Sequence, residues 1–184
     1  NMINTNNSFT DSGVKKYTIG GPGVVTFPIG SGGKYTPVRI TMIENPDTTA
    51  AVTLKACDEM IPVITDDDES PDYEIVDQNN VLSFYWSMKA EGCNDVTGNV
   101  EFFYDPDDIK IENANGSSYT VADYLPARIR KETMTWYKYH WDDFDEIANK
   151  MVFHFSHSVS GEITGGFTAG IEPNTATRKG ALPE

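Results

Sequence analysis

The sequence predicts an all-β protein: an antiparallel β-sandwich, immunoglobulin-like or jelly-roll-like, with at most one or two short helical turns. Two observations favour this class. Short runs of β-branched and aromatic residues recur along the 184-residue chain, with turn residues between them. In addition, segment 25–41 places two such runs on either side of Gly30, Gly32 and Gly33, which is typical of a hairpin.

Alternation of apolar and polar residues defines the individual strands. In the second arm of the hairpin, Val38, Ile40 and Met42 alternate with Arg39 and Thr41, the period expected of a strand with one buried face. The same reasoning predicts strands at 15–19, 24–29, 38–43, 51–56, 73–76, 81–90, 98–104, 109–111, 128–139, 150–158 and 163–169. The strands at 81–90 and 128–139 contain Trp86 and Trp136, which we expect in the core.

Two segments have the spacing of a single helical turn. Ser118 or Thr120 is suited to cap a turn over 118–125. Phe144 and Ile147 are spaced for one face of a turn over 142–150. Residues 1–13 are polar and predict a linker or the end of a preceding module, and residues 172–184 predict a C-terminal linker. The sandwich domain is therefore expected to span 14–171, within a longer chain.

The charge of the chain excludes some classes of partner. Twenty-eight acidic residues against 14 basic ones give a formal net charge of -14. Such a surface repels phosphate backbones and anionic membranes, so we expect no nucleic-acid partner. No apolar run approaches the roughly 20 residues that a membrane-spanning helix requires, so we expect no membrane span.

Six segments of the chain resemble, in the same order, a module of large surface and secreted proteins of the Bacteroidetes. The first combines Phe-Pro-Ile-Gly with Tyr-Thr-Pro-Val-Arg-Ile-Thr on the two sides of the glycine-rich turn. The others are Leu-Ser-Phe-Tyr-Trp at 82–86, Val-Glu-Phe-Phe-Tyr-Asp at 100–105, Tyr-Leu-Pro-Ala-Arg at 124–128, Met-Thr-Trp at 134–136 and Ile-Thr-Gly-Gly-Phe-Thr-Ala-Gly at 163–170. The resemblance covers about residues 24–170.

This resemblance implies a β-sandwich-like unit of adhesin or gliding-associated chains exported by type IX secretion. It therefore implies an extracellular or cell-surface location. Neighbouring modules of the same chain are the expected partners, with a glycan or a surface protein as a further ligand.

The two cysteines, Cys57 and Cys93, lie outside the pattern of that family. An even number of cysteines in an extracellular chain permits one disulfide. Two buried free thiols are the alternative, because the sequence does not give the distance between the two Cα atoms.

Two acidic loops are candidate cation sites. Asp66, Asp68 and Asp72 lie in the densest acidic segment, and carboxylate oxygens of this kind suit Ca²⁺. A second group, Asp105, Asp107 and Asp108, surrounds Pro106 in a turn between strands. Ca²⁺ is thus the one expected cofactor. Solvated acidic turns are the alternative for both loops.

An aromatic and acidic segment is a candidate ligand site. Tyr139 and Trp141 precede Asp142, and aromatic rings stack on the apolar faces of sugars while carboxylates accept hydrogen bonds from sugar hydroxyls. Tyr137 extends the stacking set. The alternative is that these residues bind no ligand and simply belong to the core and to a surface loop.

The sequence contains no motif for catalysis. It has no Gly-x-Ser-x-Gly nucleophile elbow and no phosphate-binding glycine loop before a helix. We therefore predict a non-catalytic extracellular module with an adhesive or structural spacer role, stabilised by Ca²⁺ if the acidic loops bind it. The alternative is an accessory carbohydrate-binding domain of a secreted polysaccharide-degrading enzyme, and a hydrolase with unpaired acids is a third.

Overall fold

The computed structural model describes residues 1–5, 13–18, 20–46, 49–61, 78–113, 118–130, 135–137 and 142–171. These residues form an antiparallel β-sandwich, as predicted. Its strands are β1 (Ile3–Asn4), β2 (Val14–Tyr17), β3 (Gly23–Phe27), β4 (Ile29–Ser31), β5 (Lys34–Tyr35), β6 (Val38–Glu44), β7 (Ala51–Cys57), β8 (Tyr85–Glu91), β9 (Val96–Phe103), β10 (Leu125–Arg130), β11 (Thr135–Tyr137), β12 (Asp143–Asp145), β13 (Lys150–Ser158) and β14 (Gly165–Gly170).

Two large sheets form the layers of the sandwich. One has the strand order β11-β10-β14-β8-β7-β2, and the other has the order β12-β13-β9-β6-β3. All pairs within these two sheets are antiparallel. A third, small sheet of order β1-β4-β5 contains one parallel pair, between β1 and β4.

The predicted hairpin is present, with one addition. Strand β3 pairs with β6 in an antiparallel register, with Val25 opposite Ile40. Between these two strands the chain makes a second, shorter hairpin, β4 with β5. The glycine turn at Gly32 and Gly33 therefore closes the inner hairpin and lies at one end of the sandwich.

An aromatic core joins the two sheets. Phe102 of β9 lies 5.3 Å from Trp86 of β8 and 4.9 Å from Phe167 of β14, measured between ring centroids. Phe153 of β13 lies 5.5 Å from Phe102 and 4.9 Å from Phe167. All four side chains are almost completely buried, which confirms the core position predicted for Trp86. Burial of large aromatic surface on both inner faces is the main stabilisation of such a sandwich.

On one side of the sandwich, the last strands of the two sheets lie next to each other. These strands are β2 and β3. The Lys16 ammonium on β2 donates to the Thr26 carbonyl on β3 at 2.6 Å and lies 5.3 Å from the centre of the Phe27 ring. The lysine therefore occupies a backbone carbonyl of β3 that a strand of another molecule could otherwise pair with.

The structure corrects two predictions about local structure and confirms a third. Residues 142–150 form β12 and a turn before β13, not a helical turn. No strand forms at 109–111. The segment 118–125 does contain a single 3-10 turn, Val121–Asp123, with Thr120 at its N-cap. A four-residue helix α1 (Ser160–Ile163), which we did not predict, connects β13 to β14.

The first five residues of the chain contact the domain, while most of the rest of the predicted linker or end of a preceding module over 1–13 lies outside the described residues. Strand β1 adds to β4, where the Ile3 amide donates to the Pro28 carbonyl at 2.7 Å. The Thr5 hydroxyl donates to the Ala56 carbonyl at 2.8 Å and accepts from the Ala56 amide at 2.9 Å. The predicted strand at 73–76 and the predicted linker at 172–184 lie outside the described residues. Within the described part of the chain, no helix is long and apolar enough to cross a membrane.

Candidate functional site

A cluster of polar and charged side chains lies where the β4–β5 hairpin meets the end of β7 and the turn after β9. Lys34 is the first residue of β5, Asp58 follows β7, and Ser83 precedes β8. Asp108 is the last residue of the 3-10 turn Pro106–Asp108. Four separate parts of the chain therefore contribute to one small site.

Glycine conformation places Lys34. Gly32 and Gly33 have φ values of +59° and +84°, in the left-handed region that favours glycine. A Cβ atom at position 32 would lie 1.8 Å from Asp58 Oδ2. The turn can thus approach Asp58 closely only because residue 32 has no side chain.

Turn chemistry places Asp108. Pro106 begins the 3-10 turn, and the Asp105 carboxylate accepts from the Asp107 amide at 3.1 Å. The Asp108 amide donates to the Asp105 carbonyl at 2.9 Å, while the Asp108 carbonyl accepts from the Ser83 amide at 3.0 Å. The backbone of Asp108 is fixed from both sides, and its side chain is fully buried.

The Asp108 carboxylate is bonded on one side only. Its Oδ1 atom accepts from Lys34 Nζ at 2.5 Å and from Ser83 Oγ at 2.9 Å. Its Oδ2 atom is also buried but has no hydrogen-bond partner among the described residues. An oxygen in this state carries a desolvation cost that nothing nearby offsets.

Lys34 contacts a second carboxylate, that of Asp58. Its Nζ donates to Asp58 Oδ1 at 3.0 Å. The Lys34 and Asp58 side chains are about a quarter exposed, at 27% and 26%. Burial lowers the pKa of the Lys34 ammonium, but its hydrogen bonds to Asp108 and Asp58 and their negative charges outweigh that effect, so the net pKa is raised.

The arrangement has the components of proton transfer and of a covalent reaction between side chains. It holds an amine, a buried carboxyl group and a second carboxyl group that contacts the same amine nitrogen. Lys34 already fills the space between the two acids with positive charge, which disfavours a metal ion at this place. In the part of the chain described here, no group of three or more His, Cys, Asp or Glu side chains is arranged to hold a metal.

No family model, curated protein or solved structure matches this chain. The resemblance to a Bacteroidetes surface module therefore stays a prediction.

The structure does not bring Asp105, Asp107 and Asp108 together, which corrects the predicted cation site. Asp105 caps its own turn, Asp107 is exposed, and Asp108 points inward to Lys34. Consecutive residues of a 3-10 turn point in different directions, so their carboxylates do not converge. The other predicted cation ligands, Asp66, Asp68 and Asp72, lie outside the described residues.

The predicted ligand residue Asp142 is an internal ion-pair partner, which is a second correction. Arg128 Nε and one terminal nitrogen donate to its two oxygens at 2.9 and 2.7 Å. The Arg128 and Asp142 side chains are 10% and 1% exposed. A carboxylate so enclosed cannot accept hydrogen bonds from a sugar at the surface. Tyr139 and Trp141 lie outside the described residues, and the side chain of Tyr137 is not described.

The cysteines are free and buried, in agreement with the alternative of two thiols and not with a disulfide. Cys57 lies opposite Tyr85, whereas Cys93 follows Glu91, which lies opposite Ala51. Ala51 and Cys57 are the two ends of β7, six positions apart, a span of roughly 20 Å in an extended strand. A disulfide requires Cα atoms about 4.4–6.8 Å apart.

Sequence reasoning missed Lys34, Asp58 and Ser83 as members of a site. Each is a single polar residue beside a turn or a strand end, which is where solvated residues are also common. The only signal was Asp108 itself, selected as one of three acids around Pro106.

Proposed function

We propose that this chain is a non-catalytic β-sandwich module with a structural role, a spacer in a larger cell-surface protein. One observation carries the proposal: the buried charges of the described residues connect distant segments inside the domain. Lys34 binds Asp108 at one end of the sandwich, and Arg128 binds Asp142 between β10 and the start of β12. Charges used in this way hold the domain together and are withdrawn from ligand binding.

A third charged group supports the same proposal on the outer face of the five-stranded sheet. Glu101 on β9 accepts from Arg39 on β6 and from Lys150 on β13, the latter at 2.7 Å. These three residues occupy adjacent strands of the sheet. Their contacts cross-link the sheet perpendicular to its strands, which suits a domain that carries load along the chain.

The cavity between the sheets also favours a structural role. Its lining combines apolar core residues such as Met42, Val52 and Phe155 with the polar residues Thr18 and Asn45, and the Asn45 amide donates to the Thr18 hydroxyl at 3.2 Å. Its empty volume of about 400 Å³ includes the open solvent at its mouth. Ligand sites use convergent polar groups to orient the ligand, whereas the Thr18 and Asn45 side chains bond to each other inside the fold.

Force spectroscopy tests the proposal. The intact chain is held between marker domains of known unfolding force and stretched. We expect one cooperative unfolding event, and a lower unfolding force when Arg128→Met removes an internal ion pair. Extension without a force peak would contradict a load-bearing role. Binding of the purified chain to members of a glycan panel would instead favour the carbohydrate-binding alternative.

A further inference from the structure

We propose that Lys34 and Asp108 form an intramolecular amide bond, between Lys34 Nζ and Asp108 Cγ, with Asp58 as the group that transfers protons. The three residues are the Lys34–Asp58–Asp108 cluster described above. This inference concerns the covalent state of the domain and is independent of its proposed role as a spacer.

Proximity is the first observation that supports the bond. Lys34 Nζ and Asp108 Oδ1 are 2.5 Å apart, so the amine nitrogen is already in contact with the carboxyl group that it would attack. Both residues are held by the fold: Lys34 by the glycine turn, and Asp108 by backbone hydrogen bonds to Asp105 and Ser83. Holding two reacting groups in contact removes most of the entropic barrier of a bimolecular condensation.

Burial is the second observation. Asp108 is fully buried, and a buried ionic carboxylate with one oxygen unpartnered is an expensive state for a folded protein. An amide at this position is neutral. Its single carbonyl oxygen is a weaker acceptor than a carboxylate oxygen, so leaving it without a donor costs less. The bond therefore lowers the cost of burying Asp108 Oδ2 without a hydrogen-bond partner.

The third observation is the second acid. Asp58 Oδ1 lies 3.0 Å from the same Nζ atom, on a carboxylate that is not itself the reaction partner. A positioned carboxylate in contact with the amine can accept a proton from it and pass the proton on. Ser83 Oγ, 2.9 Å from Asp108 Oδ1, adds a hydrogen-bond donor at the oxygen that leaves.

The reaction balances with the groups present. A proton first moves from the Lys34 ammonium to Asp108 Oδ1, which gives a neutral amine and a neutral carboxylic acid. The nitrogen lone pair then attacks Cγ, and the electron pair of the Cγ–Oδ2 double bond moves onto Oδ2. Asp58 accepts a second proton from Nζ and delivers it to Oδ1. The Cγ–Oδ1 bond breaks, Oδ1 leaves as water, the Cγ–Oδ2 double bond re-forms, and the third proton stays on the amide nitrogen.

The raised pKa of the Lys34 ammonium opposes the reaction, because the nitrogen must lose a proton before it can attack Cγ. Because that pKa is raised, the ammonium is the resting form, and the reaction depends on the first proton transfer to Asp108. The condensation that follows consumes both charged groups, so the site no longer holds an ion pair. The bond, once formed, replaces the Lys34 ammonium and the Asp108 carboxylate by a neutral amide.

Mass spectrometry of the intact wild-type chain is the decisive test. We expect a mass lower than that of the sequence by one water molecule, both after purification and after prolonged incubation at neutral pH. Tryptic digestion locates the bond, because trypsin does not cleave after an acylated lysine. We expect a branched peptide in which 17–39, uncut at Lys34, is joined to 90–110. The full sequence mass together with a free 35–39 peptide would overturn the proposal.

Three variants test the roles of the residues. Lys34→Arg keeps the positive charge but removes the amine, so we expect the full sequence mass in a folded protein. Asp58→Asn keeps the reacting pair, and we expect a much smaller fraction of cross-linked chains. Glu59→Gln is the matched control, since it removes the neighbouring carboxylate, whose contact is with Tyr85 at 3.5 Å, and we expect complete cross-linking. Equal cross-linking in Asp58→Asn and wild type would overturn the role of Asp58.

Discussion

Replacing Arg128 by Met is the sharpest perturbation of this fold, because it leaves a buried carboxylate without its counter-ion. The Met side chain fills much of the space beside Phe153 and Phe155, over which the guanidinium lies at 5.3 and 4.6 Å. The loss is therefore mainly electrostatic. Asp142 keeps one hydrogen bond described here, from the His154 amide at 2.8 Å, and remains enclosed.

The magnitude follows from burial. Removing one partner of a buried ion pair costs about 3–5 kcal/mol. A domain of this kind has a total stability of roughly 5–15 kcal/mol, so the variant loses a large fraction of it. Urea denaturation followed by circular dichroism measures the difference. Lys15→Met is the matched control, because it makes the same change at the exposed Lys15–Glu91 pair, where we expect little effect.

The pH dependence separates this mechanism from simple loss of packing. Burial raises the pKa of Asp142 above 3.8, despite its bond to Arg128, and removing Arg128 raises it further. A raised carboxyl pKa in the folded state means that stability falls as pH rises from 3.8 through the folded value. The destabilisation by Arg128→Met should therefore shrink as pH falls through that window. A loss that is the same at every pH, or one below about 1 kcal/mol at neutral pH, would refute the reasoning.

Three further outcomes are expected. Phe102→Ala removes the ring between the two sheets and should cost about 3–5 kcal/mol in urea denaturation; a loss near zero would contradict the described core. Arg39 holds the pKa of Glu101 below 4.5, assisted by Lys150 against burial. Stability from Glu101 is thus present above pH 4.5 and lost as pH falls through the folded pKa, and Glu101→Gln should flatten this part of the acid-unfolding curve. If Asp66, Asp68 and Asp72 bind Ca²⁺, stability should rise by about 2.7 kcal/mol at a hundredfold excess over Kd relative to EDTA. An unchanged Tm would refute that site.

The fold class was predictable because its signals are local. Val38, Ile40 and Met42 alternate with polar residues and are buried in β6, on the side that faces the other sheet. The predicted turn over 142–150 failed for an equally local reason. Phe144 packs on Tyr104, at 5.0 Å between ring centroids, but Ile147 is 91% exposed, so the apolar face that the spacing suggested does not exist.

The candidate site was not predictable, because its contacts join residues far apart in sequence. Lys34 and Asp108 are 74 residues apart. Asp107 and Asp108 are adjacent residues of the same type. Only the direction of the turn and the hydrogen bonds from Ser83 leave Asp107 exposed and Asp108 buried. Similarly, the sequence presents Asp142 beside aromatic residues and gives no sign of Arg128, which lies on a different strand.

Lys16 has a consequence for how such molecules behave when crowded. Its ammonium occupies the Thr26 carbonyl at the side where the last strands of both sheets lie together. A strand from another copy that docked there would have to displace the lysine and bring a second strongly negative molecule into contact with the first. This side of the sandwich therefore resists strand pairing between copies of the domain when they are crowded together.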